Sequence, residues 1–514
     1  MRDKHTDVEV PRGVSSLKKS SDMVEEIRQY TLITPLFGGG VQPRSADPLT
    51  RVRVSSIRGQ LRFWWRAIRG VGTLQKVREE EFALWGAASR LERSQPSQVQ
   101  IALLSLDRPG IEERPFGWSG KEPKPLFQGI VSPHYAAFPL QPSTQELREA
   151  RDPASIFPAV VKDIQFKIRV RYPSCKQGDM EATFWAWETL GGVGGRTRRG
   201  FGALRLDKLE RDGKNIDVLD HRPSGRTAQE LDAWMTACLK KHVAEGVRDD
   251  ALPCLSLNKR WRFFSPDEVK REWPRVLSSL GKIQKEEAQA LSQVPPGAQM
   301  AWQLLVQKLR RFRQARPVFP YENSEWPEAD ALRTLTGACF PKHEPRARGV
   351  KVLDVYPRAA LGLPIVLHFK DGPDKTGKRG AQTGPAFHDP ADHTLVAVTS
   401  SGSDVVDRFA SPLLLRPVVC RDGGVAALAF ALRGPVMVLD TGAVKGGQPA
   451  PLAKIGILQD QNLIAEGKSF QLTREDASQI SPLWRLGEHE QQKPSLIRAF
   501  LNYLRVESTP KPSK

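Results

Sequence analysis

The segment QFKIRVRYP, residues 165–173, has the most regular alternation in the chain. Four apolar residues alternate with three basic ones: Phe166, Ile168, Val170 and Tyr172 against Lys167, Arg169 and Arg171. Because successive side chains of a β-strand point to opposite faces of the sheet, this pattern predicts a strand with one buried and one cationic face. Such a strand needs a sheet that packs its apolar face on other elements and leaves the cationic face accessible.

Two elements are predicted upstream of this strand. EEIRQYTLIT, residues 25–34, predicts a first strand. SSIRGQLRFWWRAIRG, residues 55–70, predicts a helix with Ser55 or Ser56 as the N-cap and Gly70 as its end.

The remaining elements complete the order β-α-β-β-α-β. QVQIALLSLD, residues 98–107, predicts a strand that ends before residues 108–110, and residues 109–160 are interpreted as an insertion rich in proline and aromatic residues. After the strand at 165–173, MEATFWAWETL (180–190) predicts a helix and ALRLDKLE (203–210) a strand. This order is the ferredoxin-like arrangement, which many RNA-binding modules share.

The rest of the chain predicts an α+β protein with a central helical region. Segments between 225 and 316 have apolar residues at helical spacing, LGLPIVLHF (361–369) and the run from Ser411 predict strands, and Ser495 is expected to cap a last helix. The predicted division is a flexible tail at 1–22, an N-terminal ferredoxin-like domain at 23–212, a helical region at 213–325 and a C-terminal ferredoxin-like domain at 326–514.

The charge of the chain favours a polyanionic partner. Lys and Arg number 77 against 58 acids, which gives a net charge of +19. A balance this basic is typical of proteins that bind nucleic acid or an anionic membrane surface.

No apolar run reaches the roughly 18–20 residues of a membrane span, and the N-terminus lacks the apolar stretch of a signal peptide, so we expect a cytoplasmic protein that does not enter the membrane. Five scattered cysteines without a C-x-x-C pair argue against disulfides and a zinc site.

The helix at 55–70 has a row of arginines beside its apolar stripe. At about 100° per residue, one stripe holds Ile57, Leu61, Trp64, Trp65 and Ile68, and the row next to it holds Arg58, Arg62, Arg66 and Arg69. Four arginines at this spacing repel one another unless an anion lies along them, and guanidinium groups bind phosphate oxygens in pairs. The row therefore predicts contact with a phosphate backbone, and a solvated helix face is the alternative.

The stretch GGVGGRTRRGFG, Gly191 to Gly202, raises the question of a phosphate-binding loop. A P-loop would need a lysine at Phe201, and a dinucleotide fingerprint would need a glycine at Thr197. Both motifs also begin a helix, whereas this loop follows a predicted helix and precedes a strand. Nucleotide binding is thus excluded, and a glycine-rich loop with three arginines instead suits close approach to an extended polyanion. The alternative is a surface loop with solvated arginines.

Three motifs together resemble a known family. YTLITPLFGGG (30–40), SIRGQLRFWWRA (56–67) and GGRTRRGFGAL (194–204) are similar to the RAMP superfamily of CRISPR proteins (repeat-associated mysterious proteins). The RFWWRA helix resembles in particular the first-numbered subunit family of type III-B (Cmr-module) RNA-guided effector complexes. Weaker similarity, at WPEADALR (326–333) and LGLPIVLHF (361–369), extends into the C-terminal half.

The resemblance implies a double ferredoxin-like, RNA-binding subunit of an antiviral defence complex. Its partners would be guide RNA, target RNA and other RAMP subunits, at the end of the complex that holds the 3′ portion of the guide. The candidate RNA-binding residues combine the helix row, the strand face and the loop: Arg58, Arg62, Arg66, Arg69, Lys167, Arg169, Arg171, Gly194, Gly195, Arg196, Arg198, Arg199, Gly200 and Gly202. Because these contacts are cationic, binding is expected to depend on phosphates more than on sequence.

Two other functions stay open. Backbone subunits of type III complexes have a cleaving aspartate in the loop after the first strand, and Asp47 lies in a similar loop here, so one alternative is an RNA endonuclease. A loop-structuring or arginine-pairing role for Asp47 is the favoured interpretation. The other alternative is a structural adaptor whose basic surface contacts acidic subunits. Before the glycine loop the chain has only His5 and His134, and neither is expected beside the arginine helix.

We expect no catalytic site, no metal and no cofactor. The segment FHDPADH, Phe387 to His393, has two histidines and two aspartates, but no second cluster with ligand spacing accompanies it. A polar loop is the favoured interpretation.

Overall fold

The computed structural model describes residues 22–40, 44–87, 95–119, 122–127, 132–150, 156–249, 252–281, 285–315, 324–344, 351–369, 371–373, 388–398, 405–406, 409–433 and 454–506. The tail expected at 1–22 lies outside these residues apart from Asp22.

The N-terminal half is built around a five-stranded sheet. Its elements in chain order are β1 (Met23–Leu32), α1 (Val54–Arg69), α2 (Leu74–Trp85), β2 (Gln100–Glu113), β3 (Phe116–Ser119), β4 (Glu122–Pro125), α3 (His134–Ala137), α4 (Thr144–Glu149), β5 (Val160–Pro173), α5 (Gln177–Leu190), β6 (Leu204–Arg211) and β7 (Lys214–Ile216). The strand order is β2-β5-β1-β6-β7, and every pair is antiparallel. With β3 and β4 set aside as a separate hairpin, the first four long strands lie in the order 2-3-1-4, which is the order of a β-α-β-β-α-β ferredoxin-like sheet.

Helix α1 and strand β5 fold as their patterns predict. The apolar stripe of α1, from Ile57 to Ile68, is buried, and α1 and α5 pack against each other. In β5, Phe166, Ile168, Val170 and Tyr172 are all fully buried. Local periodicity therefore identified the core-facing side of both elements correctly.

Two predicted boundaries are wrong. Helix α1 begins at Val54 after Arg53, with no side-chain cap, so neither Ser55 nor Ser56 is its N-cap. Strand β2 does not end before residues 108–110 but continues to Glu113, with Pro109 opposite Ile164. A proline is tolerated there because β2 is an edge strand, where one side of the backbone makes no ladder hydrogen bonds.

The region predicted to be helical also contributes a strand to a second sheet. Its elements are α6 (Ala228–His242), β8 (Trp261–Phe264), α7 (Pro266–Gly281), α8 (Lys285–Ser292) and α9 (Ala298–Gln314). Strand β8 pairs antiparallel with residues 427–430, which belong to a strand of the C-terminal half. Four residues are too few for a recognisable alternation, which is why the sequence pattern did not indicate this strand.

The C-terminal half contains two further sheets. Its elements are α10 (Glu328–Thr336), β9 (Ile365–Leu367), β10 (His393–Val398), β11 (Val405–Val406), β12 (Leu413–Val419), β13 (Val425–Ala431), β14 (Lys454–Gln459), β15 (Asn462–Lys468), α11 (Arg474–Gln479), α12 (Ser481–Arg485) and α13 (Leu496–Val506). One sheet has the order β12-β13-β8, and the other has β11-β10-β14-β15 with β9 also on β10. The chain is thus α+β with antiparallel sheets. As predicted, Ser495 caps α13, where its Oγ accepts from the Arg498 amide at 3.4 Å.

Strand β12 is buried on both of its faces. Leu414 and Val418 belong to the core that includes α1, α5 and the five-stranded sheet, whereas Leu413 and Leu415 pack in a second core with α9. The β12-β13-β8 sheet therefore lies between the N-terminal helices and α9. None of the helices in the described part of the chain is long and apolar enough to cross a bilayer.

A charged network lies inside the N-terminal core. Arg28 on β1 is 1% exposed and binds Glu26 and Glu188, each at 2.7 Å. Glu26 also accepts from Tyr172 and Arg211 at 2.8 Å each. Burial alone would raise the pKa of Glu26, but the charge of Arg28 and the hydrogen bonds from Arg28, Arg211 and Tyr172 outweigh it, so the pKa is lowered.

Candidate nucleic-acid interface

The glycine-rich loop connects α5 to β6, as predicted, and has a fixed conformation. Gly194, Gly200 and Gly202 have φ of +79°, +88° and +60°. The amides of Gly195 and Gly202 donate to the carbonyls of Phe37 and Pro35 at 2.7 and 2.8 Å. These two amides hold the loop against the segment that follows β1. Contact of the loop with RNA stays a prediction.

The arginines of this loop cross to the second sheet. Arg198 donates to the Ser411 carbonyl at 2.6 Å, and Arg199 donates to the carbonyls of Leu413 and Leu361 at 3.1 and 3.0 Å. Trp302 on α9 in turn donates to the Arg199 carbonyl at 2.7 Å. These bonds join the N-terminal domain to the β12-β13-β8 sheet.

The charge of these arginines is not neutralised by carboxylates. Burial lowers the pKa of Arg198 to about 10. Burial, followed by the charges of Arg313 and Arg196, lowers the pKa of Arg199 to about 9. Within the described ranges, Arg198 and Arg199 hydrogen-bond to backbone carbonyls and pair with no carboxylate. An anion bound beside them would relieve their mutual repulsion.

Arg416 on β12 is a further cation between the domains. Its side chain is 1% exposed and donates to the Glu188 carbonyl at 2.9 Å, and burial lowers its pKa to about 9. Glu188 lies near the C-terminus of α5, where the helix dipole favours a positive charge. A Cβ on Gly192 would lie 2.6 Å from the Gly202 carbonyl oxygen and 3.1 Å from Arg416 Nη1, which explains a glycine there.

A cleft of about 1520 Å³ opens beside the loop. It lies between the loop, the insertion, the ends of α8 and α9, and the segments around residues 358–368 and 409–411. Of the residues that the structure describes, the charged ones in its lining are seven basic and two acidic: Arg196, Arg198, Arg199, Lys285, Arg310, Arg313 and Arg358 against Glu286 and Glu287. Aromatic rings of Phe116, Phe127, Tyr135, Phe138 and Phe409 also line it. A cationic groove with aromatic rings is the combination that binds single-stranded nucleic acids.

Part of this cleft was not predicted from the sequence. Arg313 and Arg358 are on α9 and the turn after Tyr356, far from the loop in sequence, although the basic run LRRFRQAR was a visible signal. His134 also lines the cleft beside the loop, with Nε2 2.7 Å from the Leu126 carbonyl, and burial lowers its pKa.

The arginine row of α1 has partners within the protein. Glu81 on α2, which is buried, binds Arg62 and Arg66 at 2.6 and 2.5 Å. The argument that only an external anion could relieve the repulsion in this row was therefore wrong, because the carboxylate comes from the next helix.

The two ends of the row are also engaged. Arg69 binds Asp179 on α5 at 2.7 Å. Arg58 donates to Ser97 Oγ and to the Val99 carbonyl at 2.7 and 3.0 Å, and burial with the charge of Arg62 lowers its pKa. Contact of this row with RNA stays a prediction.

The basic face of β5 lies on the opposite side of the sheet from α1 and is partly paired. Lys167 lies 3.4 Å from Asp107, and Arg171 lies 3.5 Å from Glu25, whereas Arg169 is exposed. This face is apart from the cleft, so the three predicted groups do not form one surface.

Asp47 holds its loop in shape. Its carboxylate accepts from the amides of Leu49 and Thr50 at 2.9 Å each and from Arg53 at 2.7 Å. The Thr50 amide, Arg53 and the Leu49 amide, in that order, lower the pKa of Asp47 to about 2. A carboxyl with this pKa is a poor general base at neutral pH.

The segment FHDPADH begins at Phe387, which lies outside the described residues; from His388 onward it is described. Asp389 binds Arg333 at 2.9 Å and His343 at 2.7 Å. Asp371 lies close by, so that His343, Asp371 and Asp389 are near enough to one another to hold a metal ion. Because Arg333 and His343 already occupy both Asp389 oxygens, we interpret the cluster as an ion-pair network. The absence of a metal stays a prediction.

One family model and several solved structures are similar to parts of this chain. Residues 29–205 match the model of the RAMP superfamily. Cmr1 from Pyrococcus furiosus, in its apo form, shares 17% identity over 80% of this chain and 88% of its own, with a TM-score of 0.33. A chain of the type III-B Cmr-beta complex bound to cognate target RNA shares 11% identity over 80% of this chain and 95% of its own, with a TM-score of 0.37.

No curated protein sequence matches the chain significantly. The matched segment begins within β1 and ends in β6, and so includes the tryptophan-rich helix α1 and the glycine-rich loop. In this N-terminal segment, residues 29–205, the chain is similar to the RAMP superfamily.

Proposed function

We propose that this protein is a non-catalytic RNA-binding subunit of a type III-B (Cmr) RNA-guided effector complex. Guide or target RNA, near the 3′ end of the guide, would lie in the cleft between the glycine-rich loop and α9. The observation that supports this best is a group of three arginines, Arg198, Arg199 and Arg313, in a cleft that also has aromatic rings. Among the described residues, these three pair with no carboxylate.

The electrostatics of the cleft support a polyanionic ligand. Burial first, and then the charges of the nearby Arg313 and Arg196, lower the pKa of Arg199. Repulsion between like charges in a partly buried site persists unless a counter-charge enters. Several phosphates along one strand supply such charges at regular intervals, whereas a single acidic side chain supplies only one negative charge.

The assignment to the type III-B subunit rests on sequence motifs in the matched family segment. The helix SIRGQLRFWWRA is α1, and its two tryptophans are buried against α5 and the sheet. We further propose that the chain has two ferredoxin-like domains. In the second domain, β8 would be the first strand, β12 the second and β13 the third, and the residues of β9–β11 would be an insertion between β8 and β12. The order β12-β13-β8 is then 2-3-1, as in the N-terminal sheet.

Binding to unstructured RNA is expected to weaken steeply with salt. If about five phosphates are contacted, the slope of log K against log salt is about −3.5, since each contact to a single strand contributes about −0.7. Arg313→Gln should flatten the slope by about 0.7 and weaken binding at low salt, because it removes a cation that no carboxylate of the described residues neutralises. Fluorescence anisotropy of labelled RNA at several salt concentrations measures both the affinity at low salt and the slope.

The matched control is Lys240→Gln, an exposed residue on α6 away from the cleft, which should leave the slope unchanged. Arg198 and Arg199 are unsuitable first choices because their loss also breaks contacts between the domains. Salt-insensitive binding, or equal slopes for both variants, would contradict the proposal. Undetectable RNA binding by both the chain and its assembled complex would favour the structural adaptor.

Asp47→Ala is expected to leave cleavage of matched target RNA by an assembled complex unchanged. The carboxylate is already held by two amides and Arg53, and its pKa of about 2 does not suit proton transfer at neutral pH. Arg53→Ala is the control, since it breaks the same ion pair but keeps the carboxylate. Loss of one cleavage product in the Asp47 variant alone would support the endonuclease alternative.

A further inference from the structure

The cleft has two chemically different walls. The cationic side chains Arg313 and Arg358 belong to α9 and the segment after Tyr356. The rings of Phe127, Tyr135 and Phe138 belong to the proline-rich insertion between β2 and β5. Arg196 is between them, as its Nε donates to the Ala136 carbonyl at 2.8 Å and its guanidinium is 5.8 Å from the centre of the Phe37 ring.

One ring of the insertion is free to accept a planar group. Phe138 is 50% exposed, at the turn that follows α3. Phe127 instead packs edge-on against His134, with ring centres 4.9 Å apart. A half-exposed phenylalanine leaves apolar surface in water, which is a cost that a stacking ligand would remove.

The position of this ring is fixed relative to the arginines. The insertion is joined to the glycine-rich loop through Arg196 and Ala136, and α3 packs on α9. The Pro139 carbonyl also accepts from Arg44 at 3.3 Å. Ring and cations are thus held at the same opening before any ligand binds, so little ordering cost remains for binding.

We propose that the insertion makes this cleft selective for unpaired RNA. One base stacks on Phe138 while the flanking phosphates contact Arg196 and Arg313. This inference rests on the proposed function and specifies its substrate: in a duplex the base faces are covered by their neighbours, whereas a single strand can turn a base outward onto an aromatic side chain. The insertion would therefore distinguish single-stranded from paired RNA without reading its sequence.

The test compares an unstructured RNA with a blunt duplex of the same sequence, using the full chain and fluorescence anisotropy. The single strand is expected to bind at least about tenfold more tightly than the duplex. Phe138→Leu, which keeps an apolar side chain but removes the ring, should weaken single-strand binding by about tenfold and leave duplex binding unchanged. Phe138→Tyr keeps the ring and should retain binding. Trp484→Leu, which removes a 56% exposed ring outside the cleft, is the matched control and should have no effect.

The outcomes separate this inference from the proposed function. Equal binding of single strand and duplex, or the same affinity for Phe138→Leu and the unmodified chain, overturns the inference while RNA binding stands. If neither RNA binds, both the inference and the proposed function are overturned. Equal losses in Phe138→Leu and Phe138→Tyr would also overturn it, because the effect would then come from packing and not from the aromatic face.

Discussion

Gly202→Ala is expected to lower the free energy of unfolding by roughly 3–4 kcal/mol. Gly202 has a φ of +60°, and a Cβ there would lie 1.9 Å from the Val193 carbonyl oxygen. The left-handed backbone alone costs a residue with a Cβ about 1–2 kcal/mol. The overlap with the Val193 carbonyl adds to this cost. The Val193 amide donates to the Gly202 carbonyl at 3.0 Å, and the Gly202 amide donates to the Pro35 carbonyl. Neither side of the loop can therefore move away without losing a hydrogen bond.

Gly59→Ala is the matched control for this substitution. Gly59 is inside α1, and a Cβ there meets nothing within 4 Å. Replacing a helical glycine by alanine should therefore raise the free energy of unfolding by about 0.5–1 kcal/mol. Urea unfolding of the two variants measures both effects. A Gly202 variant as stable as the unmodified chain would show that the loop rearranges at little cost.

Arg28→Met is expected to lower the free energy of unfolding by roughly 3–5 kcal/mol. Arg28 binds Glu26 and Glu188 and lies 3.9 Å above the Phe184 ring, and its side chain is 1% exposed. Its removal leaves two carboxylates close together inside the core without their shared cation. Losing one partner of a buried ion pair is costly because the remaining charge is still withheld from water.

The control and the pH dependence distinguish this effect from a general loss of charge. Arg171→Met breaks the half-exposed pair with Glu25, at 3.5 Å, and should cost at most about 1 kcal/mol. Because the folded-state pKa of Glu26 is lowered, its contribution is present above the unfolded value of about 4.3 and is lost as pH falls through the folded value. Arg28→Met should weaken this acid sensitivity. Equal losses for the two variants, measured by urea unfolding at neutral and acidic pH, would contradict a special role for the buried network.

Elements with strong local periodicity could be predicted from sequence. The alternation at 165–173 and the apolar stripe from Ile57 to Ile68 depend only on which residues share a face of a strand or a helix, and both are buried as expected. The position of the glycine-rich loop between a helix and a strand followed from the same reasoning. The N-cap of α1 and the end of β2 were predicted wrongly, because a helix can begin without a side-chain cap and an edge strand tolerates proline.

The partners of the arginines could not be predicted in the same way. Glu81 binds Arg66 from 15 residues away, Asp179 binds Arg69 from 110 residues away, and Ser411 accepts from Arg198 across 213 residues. Periodicity describes the face that a side chain occupies but contains no information on what packs against that face. The row on α1 therefore suggested an external anion although the protein supplies its own carboxylates.

By itself, the sequence determined the basic charge of this protein, the order of its N-terminal elements and the motifs shared with the RAMP superfamily, because all three depend on composition and on short spacings. Only the tertiary structure decided which cations have no carboxylate partner among the described residues. Arg198, Arg199 and Arg313 lie together beside the aromatic insertion because the second sheet packs on the N-terminal helices, and a long-range packing of this kind leaves no local pattern in the chain.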